Sequence, residues 1–159
     1  MNIFSKIAVF ILLIVGLTIY SCKKKQKYPN EPIIEYKGFE RFGNDSAHFI
    51  ISFTDGDGDI GLTQADTAAP YLSNFFTKYY QKKNGVFIEK VLGFPLNFRI
   101  PILNSGKKSK SLEGEIVIKF SAPFYYPTTT KDTILYEVYI VDRALNQSNS
   151  VRSDEIIVP

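Results

Sequence analysis

Three aspartates alternate with glycines in one short stretch of the chain, a spacing typical of a cation-binding loop. The stretch runs from Thr54 to Leu62 as Thr-Asp-Gly-Asp-Gly-Asp-Ile-Gly-Leu, with carboxylates at Asp55, Asp57 and Asp59. Glycine accepts backbone conformations that let neighbouring carboxylates converge. Because Ca²⁺ prefers several oxygen ligands on a flexible loop, backbone carbonyls included, the stretch predicts a Ca²⁺ site. A solvated turn of Asp and Gly is the alternative.

Other site chemistry has little support in the composition. The chain has one His and one Cys, so the usual zinc sites are not expected. We interpret His48 as a surface or edge side chain of a strand. No set of nucleophile, base and orienting group is recognisable, and the clustered carboxylates suit a cation better than separate acid and base roles. We therefore expect no enzyme activity.

Residues 1–21 are predicted to be a signal peptide and not part of the fold. Lys6 supplies a positive charge, and Ile7 to Ile19 is an apolar run of 13 residues, too short to span a bilayer comfortably. An aliphatic residue, Tyr20, a small residue and Cys22 then follow one another, which resembles a bacterial lipobox. The resemblance implies cleavage before Cys22 and a lipid on its sulfur. A free thiol or a plain transmembrane helix is the alternative.

Residues 22–32 are predicted to tether the lipid to a domain. Four lysines would lie beside anionic head groups, and prolines would stiffen the tether; a solvated linker is the alternative. The net charge of +3 comes from this N-terminal part, since five of the 19 basic side chains and no acidic ones lie in residues 1–27. The remainder has 14 basic and 16 acidic side chains. A nucleic-acid partner is therefore not expected.

Residues 33–159 are predicted to form one all-β domain, an immunoglobulin-like antiparallel β-sandwich of seven or eight strands. Most apolar runs alternate with a period of two, and no helical pattern of convincing length is present. Asn84-Gly85 predicts a hairpin turn. A small β-barrel is the alternative fold. The predicted strands are residues 33–39, 47–53, 72–81, 86–92, 94–103, 113–120, 134–141 and 151–158.

The sandwich topology predicts that a second loop lies beside the acidic one. With residues 47–53 as the second strand, the acidic stretch opens the B–C loop, and residues 143–150 form the F–G loop at the same end. Asp142 and Asn146 could then add oxygen ligands, or Arg143 could neutralise a carboxylate. A hydrogen-bonded turn rich in Asn and Ser is the alternative.

Three features together resemble the small Bacteroidota lipoproteins that carry an immunoglobulin-like domain. They are the lipobox, the strand that ends in Phe-Thr-Asp-Gly-Asp-Gly-Asp-Ile-Gly, and Asp-Arg-Ala-Leu-Asn-Gln-Ser-Asn before the last strand. The resemblance covers nearly all of the mature chain and implies fold and location but little activity. The chain also resembles cadherin-like domains, in which acidic loops bind Ca²⁺. An EF-hand is a poorer match. Ile60 stands where that loop requires glycine, Asp66 stands where its last ligand is Glu, and a strand rather than a helix precedes the loop.

An aromatic segment lies at the end of the predicted sandwich opposite the acidic loop. Phe124, Tyr125 and Tyr126 stand between two prolines and could bind an envelope protein or a glycan, or fold back to close the core. We expect a lipid-anchored binding or structural module of the outer membrane. It would face the periplasm, because lysines rather than acids follow Cys22; a cell-surface location is the alternative. An envelope hydrolase of glycan or peptide, with a Ca²⁺-supported carboxylate site, is the alternative function.

Overall fold

The computed structural model describes residues 28–103, 111–121 and 132–158, which form eight strands. Within this part of the chain no helix is long and apolar enough to cross a membrane. Cys22 and the aromatic segment Phe124, Tyr125 and Tyr126 lie outside the described residues. The strands are β1 (Ile33–Phe42), β2 (Ser46–Asp55), β3 (Phe75–Lys83), β4 (Val86–Glu89), β5 (Leu112–Ser121), β6 (Thr133–Ile140), β7 (Val151–Arg152) and β8 (Ile156–Ile157).

The strands form two antiparallel sheets that pack face to face. The first sheet has the order β1-β2-β5, and the second has the order β4-β3-β6, with β7 and β8 both paired to β6. These orders match the A-B-E and C′-C-F-G sheets of an immunoglobulin-like sandwich. The predicted fold class is therefore confirmed, as two separate sheets rather than a closed barrel.

The core is built from the inward faces of both sheets and is rich in aromatic rings. Phe49 on β2 and Tyr136 on β6 are fully buried, and their ring centroids lie 6.3 Å apart in an edge-to-face arrangement. Phe120 on β5 contacts Tyr136 with centroids 5.1 Å apart. Such pairs contribute about 0.5–1.5 kcal/mol beyond the apolar area that they bury. The residues that the alternation predicts to face inward on these three strands are all buried: Phe49, Ile51 and Phe53 on β2, Ile116, Ile118 and Phe120 on β5, and Ile134, Tyr136, Val138 and Ile140 on β6.

The predicted strand over residues 94–103 is wrong. Its alternation reflects burial without regular pairing, because prolines at positions 95 and 101 cannot donate ladder hydrogen bonds. Only isolated bridges remain, between Phe98 and Phe75 and between Pro101 and Leu62. Ile100 is buried, but Phe94 at the start of the segment is exposed.

The last predicted strand, residues 151–158, is divided into β7 and β8. The interruption lies at Ser153, whose hydroxyl accepts a hydrogen bond from the Tyr136 N–H at 3.0 Å. The Ser153 N–H donates to the Tyr136 carbonyl at 2.9 Å, so this residue holds the chain against β6 between the two short strands.

The hairpin between β3 and β4 has the predicted turn, with left-handed φ angles of 51° at Asn84 and 81° at Gly85. The two strands are shorter than predicted. β3 begins at Phe75, and β4 ends at Glu89. Leu72 and Val91, which the alternation placed in these strands, are exposed loop residues.

Candidate metal centre

Asp55 is the last residue of β2 and points into the molecule. The strand alternates regularly along its ten residues, and this alternation puts Asp55 on the core face with no exposed surface. The chain then turns through Gly58, whose φ of 70° favours glycine. This turn brings the half-buried Asp59 back, and its N–H donates to Asp55 Oδ2 at 2.9 Å.

Asp142 enters the same region from the loop after β6. It is 1% exposed, and both of its carboxylate oxygens accept hydrogen bonds from Asn146 at 2.8 Å, one from the backbone and one from the side-chain amide. Asn146 thus orients Asp142. The loop reaches the acidic stretch where the Ala144 N–H donates to Asp59 Oδ2 at 3.1 Å. The predicted proximity of the two loops is therefore present.

Four carboxylates converge at this point. Asp55, Asp57, Asp59 and Asp142 each offer an oxygen, and these oxygens all lie within 4.8 Å of one another. Oxygens on opposite sides of a bound Ca²⁺ are about 4.6–5.2 Å apart, so the spacing fits one such ion. The Oδ1 atoms of the first three aspartates are buried and have no hydrogen-bond partner among the described residues. A buried polar atom without a partner is costly, and a cation would satisfy all three.

The electrostatics of the cluster disfavour charge on Asp55 and Asp59. Burial, and then the neighbouring charge of Asp57, raise the pKa of Asp55 from 3.8 to about 6. Burial also raises the pKa of Asp59, with further contributions from the charges of Asp142 and Asp57. The hydrogen bond from Ala144 and the charge of Arg143 oppose that increase. Within the described residues, the cluster thus has more negative than positive charge around it.

Arg143 was the sequence candidate for neutralising a carboxylate, and it lies beside the cluster. Its Nε donates to the backbone carbonyl of Asp59 at 3.1 Å rather than to a carboxylate oxygen. Asp66, which would hold the final ligand position of an EF-hand, is not in the cluster. It accepts hydrogen bonds from the N–H and hydroxyl of Thr63 at 2.6 and 2.8 Å. The structure therefore agrees with the rejection of an EF-hand.

Two residues that the sequence did not single out support the loops around the cluster. The buried side chain of Asn74 pairs with the backbone of Ile100 like a short piece of strand, accepting from its N–H at 2.6 Å and donating to its carbonyl at 3.2 Å. Arg99 donates to the backbone carbonyls of Thr63, Tyr71 and Leu72. Neither role has a local sequence signal, because the partners lie about 30 residues apart in the chain.

Comparisons with known proteins give no family for the chain. No protein-family model matches it, and no curated protein matches it. Among solved structures, the sporulation control protein Spo0M of Bacillus subtilis has a TM-score of 0.42 and 11% sequence identity. The likeness covers 81% of this chain and 49% of that chain. A likeness at this level carries no argument about function.

Proposed function

We propose that this chain is a lipid-anchored module of the bacterial cell envelope with a Ca²⁺-binding loop end. Its role is binding or structural, without chemistry of its own. We place it with the small Bacteroidota lipoproteins, on the periplasmic side of the outer membrane. The Ca²⁺-binding part of the proposal rests on one structural observation, the convergence of Asp55, Asp57, Asp59 and Asp142 around buried oxygens that have no described partner. The anchor and the location rest on the lipobox-like residues that end at Cys22.

The donor set favours Ca²⁺ over other common cations. All four candidate side chains offer carboxylate oxygens, which are the ligands of hard cations, whereas zinc sites in proteins usually include His or Cys. The glycine-rich loop can adjust to the longer and more variable distances of Ca²⁺ coordination. Mg²⁺ requires near-octahedral geometry and keeps its waters, so its effect should be weaker.

The alternative function, a hydrolase, has less support from the geometry. Glycosidases hold two carboxyl groups about 5–9.5 Å apart on either side of the scissile bond. Here four carboxylates gather around one point, and Asp55 and Asp142 are almost fully buried, where a substrate could not reach them. The arrangement is suited to enclosing an ion.

Thermal unfolding of the full chain in detergent, after treatment with a chelator, tests the proposal. Extracytoplasmic Ca²⁺ modules bind with a Kd of roughly 10⁻⁴–10⁻³ M. At 100 times the Kd, binding only to the folded state stabilises the protein by about 2.7 kcal/mol. We expect the Tm to rise with millimolar Ca²⁺ and to rise less with Mg²⁺, and calorimetry should show saturable Ca²⁺ binding.

A pair of matched double variants makes the test specific. Asp57→Asn with Asp59→Asn removes two charges from the cluster and should abolish the Ca²⁺ effect on Tm. Glu40→Gln with Asp45→Asn removes two exposed charges at the opposite end of the sandwich and should retain the effect. No change in Tm or heat with Ca²⁺ up to about 10 mM, ten times the weaker Kd, would contradict the proposal.

A further inference from the structure

We infer that the end of the sandwich that carries the acidic cluster is a membrane-docking surface, which binds the anionic phospholipid bilayer to which the chain is anchored. We call this the acidic end and define it by the cluster together with Leu72, Arg143 and Leu145. The inference rests on the proposed function, because it uses both the lipid on Cys22 and the cation. Beyond the proposed function, the inference names the bilayer as the partner of the acidic end and says which end of the domain faces it.

The first observation is that the N-terminal segment lies against the acidic loop. The Gly56 N–H donates to the Pro29 carbonyl at 2.7 Å. A Cβ at Gly56 would collide with the backbone carbonyl oxygens of Tyr28 and Pro29, so only glycine permits this approach. The Tyr28 hydroxyl donates to Glu113 on β5, and Pro32 is buried. The chain therefore enters the domain at the acidic end.

Chain length then limits the distance between the acidic end and the lipid. Six Cα–Cα steps separate Cys22 from Tyr28, and a fully extended chain spans at most about 3.3–3.6 Å per residue. With Cys22 in the bilayer, the acidic end lies within about 20 Å of it. The far end of β2 lies roughly 30 Å beyond, at about 3.3 Å per residue over ten residues. The tether thus limits the distance of the acidic end from the membrane more tightly than that of the opposite end.

The second observation is the apolar character of the loop tips at this end. Leu145 is 50% exposed and has a φ of 68°, a left-handed conformation that a leucine rarely adopts. Asn or Gly would adopt this backbone conformation at a lower conformational cost, so an exposed leucine here indicates a functional role. Leu72 is 58% exposed, and the hydroxyl of its neighbour Tyr71 donates to the Arg143 carbonyl in the same loop as Leu145.

The charges of the acidic end make docking depend on the cation. Without it, the negative charge of half-buried Asp57 and Asp59, with buried Asp55 and Asp142 behind them, repels an anionic surface. With Ca²⁺ bound, two of the four negative charges are offset, which weakens this repulsion. Exposed Arg143 adds a positive charge at the same place, and exposed leucines partition into the interfacial region.

Site-specific fluorescence of the anchored full chain in vesicles tests the inference. Cys22 is the only cysteine, so an acylated wild-type chain takes up no thiol-reactive probe. An environment-sensitive probe is attached to one of three variants: Leu145→Cys, Asp45→Cys or Val91→Cys. Asp45 lies in the turn at the opposite end, and Val91 follows β4 and is 90% exposed. The vesicles contain phosphatidylethanolamine and phosphatidylglycerol, with brominated acyl chains as quenchers.

We expect the Leu145 probe to shift to the blue and to be quenched by the brominated lipid in Ca²⁺, and to lose both effects with a chelator or in phosphatidylcholine vesicles. The Asp45 and Val91 probes should show neither. Equal quenching at all positions, or quenching at Val91 in place of Leu145, overturns the inference. A blue shift at Leu145 without quenching indicates a protein partner and also overturns it. Saturable Ca²⁺ binding in calorimetry, with no response at Leu145, rejects the inference and leaves the proposed function intact.

Discussion

Among single residues, Asp55 has the most perturbed environment in the cluster, and its titration has a measurable effect on stability. Its folded pKa of about 6 lies above its ordinary value of 3.8, because burial and then Asp57 disfavour its charge. The folded protein therefore holds this proton more tightly than the unfolded chain. The contribution to the free energy of unfolding is fully present below about pH 4 and is lost as the pH rises through about 6.

We predict that metal-free wild-type protein loses stability relative to Asp55→Asn between pH 4 and pH 7. Comparison with the variant is needed because Asp66 has a lowered pKa and contributes a pH dependence of the opposite sign. Chemical denaturation with a chelator present measures both proteins, and Asp45→Asn serves as a control that keeps the wild-type profile. Ca²⁺ at pH 7 should restore stability to the wild type. A constant difference between wild type and Asp55→Asn across this range would refute the prediction.

The composition of the cluster could be predicted from the sequence, but the environment of its members could not. The alternation of Asp and Gly and the order of the sandwich strands identified Asp55, Asp57, Asp59 and Asp142. The predicted second strand ended at Phe53, so the complete burial of Asp55 as an inward residue of β2 was not foreseen. Burial depends on what packs around a residue, and here the backbone of the following turn, at Asp59 and Ile60, folds back onto the Asp55 carboxylate.

Among the elements, the irregular segment from residue 97 to 102 has an unusual support. A side-chain amide replaces a strand partner, because Asn74 makes both hydrogen bonds with the backbone of Ile100. This pairing fixes the segment next to the acidic stretch, where the Leu62 N–H also donates to the Ile100 carbonyl at 2.9 Å. The segment is therefore part of the support of the cluster, although no strand is assigned there.

We predict that Asn74→Ala destabilises the domain by about 1–3 kcal/mol, the usual cost of leaving a buried donor such as the Ile100 N–H unpaired. Equilibrium denaturation in urea measures this change. Asn97→Ala is the matched control, since the Asn97 side chain is half-buried and, among the described residues, accepts one long hydrogen bond, 3.4 Å from the Thr77 N–H. Equal losses for both variants would show that the Asn74 pairing has no special role.

Sequence patterns identified elements well where pairing and burial coincide. β2 alternates along its whole length, and β5 and β6 alternate over their second halves, because there each strand has one face on the core and regular partners. Residues 94–103 alternate too, but prolines prevent a ladder and the Asn74 side chain supplies the pairing. A period-two pattern reports which side chains are buried. It does not report which backbone groups find partners on a neighbouring strand.

At the scale of the whole molecule, the two ends of the sandwich differ in charge and in connection. The acidic end gathers the two loops of the cluster and receives the N-terminal segment through Gly56 and Pro29. The sequence predicted the meeting of the loops, because sandwich topology fixes it. It gave no sign of the Gly56 contact, which depends on the path that the chain takes before β1. If the proposed anchor is present, this contact sets which end of the domain lies near the point of attachment.

The anchor has a prediction of its own. From the apolar run and the small residue before Cys22, we predict cleavage at that cysteine and a lipid on its sulfur. Two or three acyl chains, at about 0.8 kcal/mol per buried CH₂, hold a protein stably in a bilayer. Cys22→Ala should abolish labelling by radioactive palmitate and leave uncleaved precursor in pulse-chase gels. Ser21→Ala keeps a small residue before the cysteine and should be processed and labelled normally. Normal cleavage and membrane retention of Cys22→Ala would refute the predicted anchor. The chain-length argument for an acidic end near the bilayer would then fail as well.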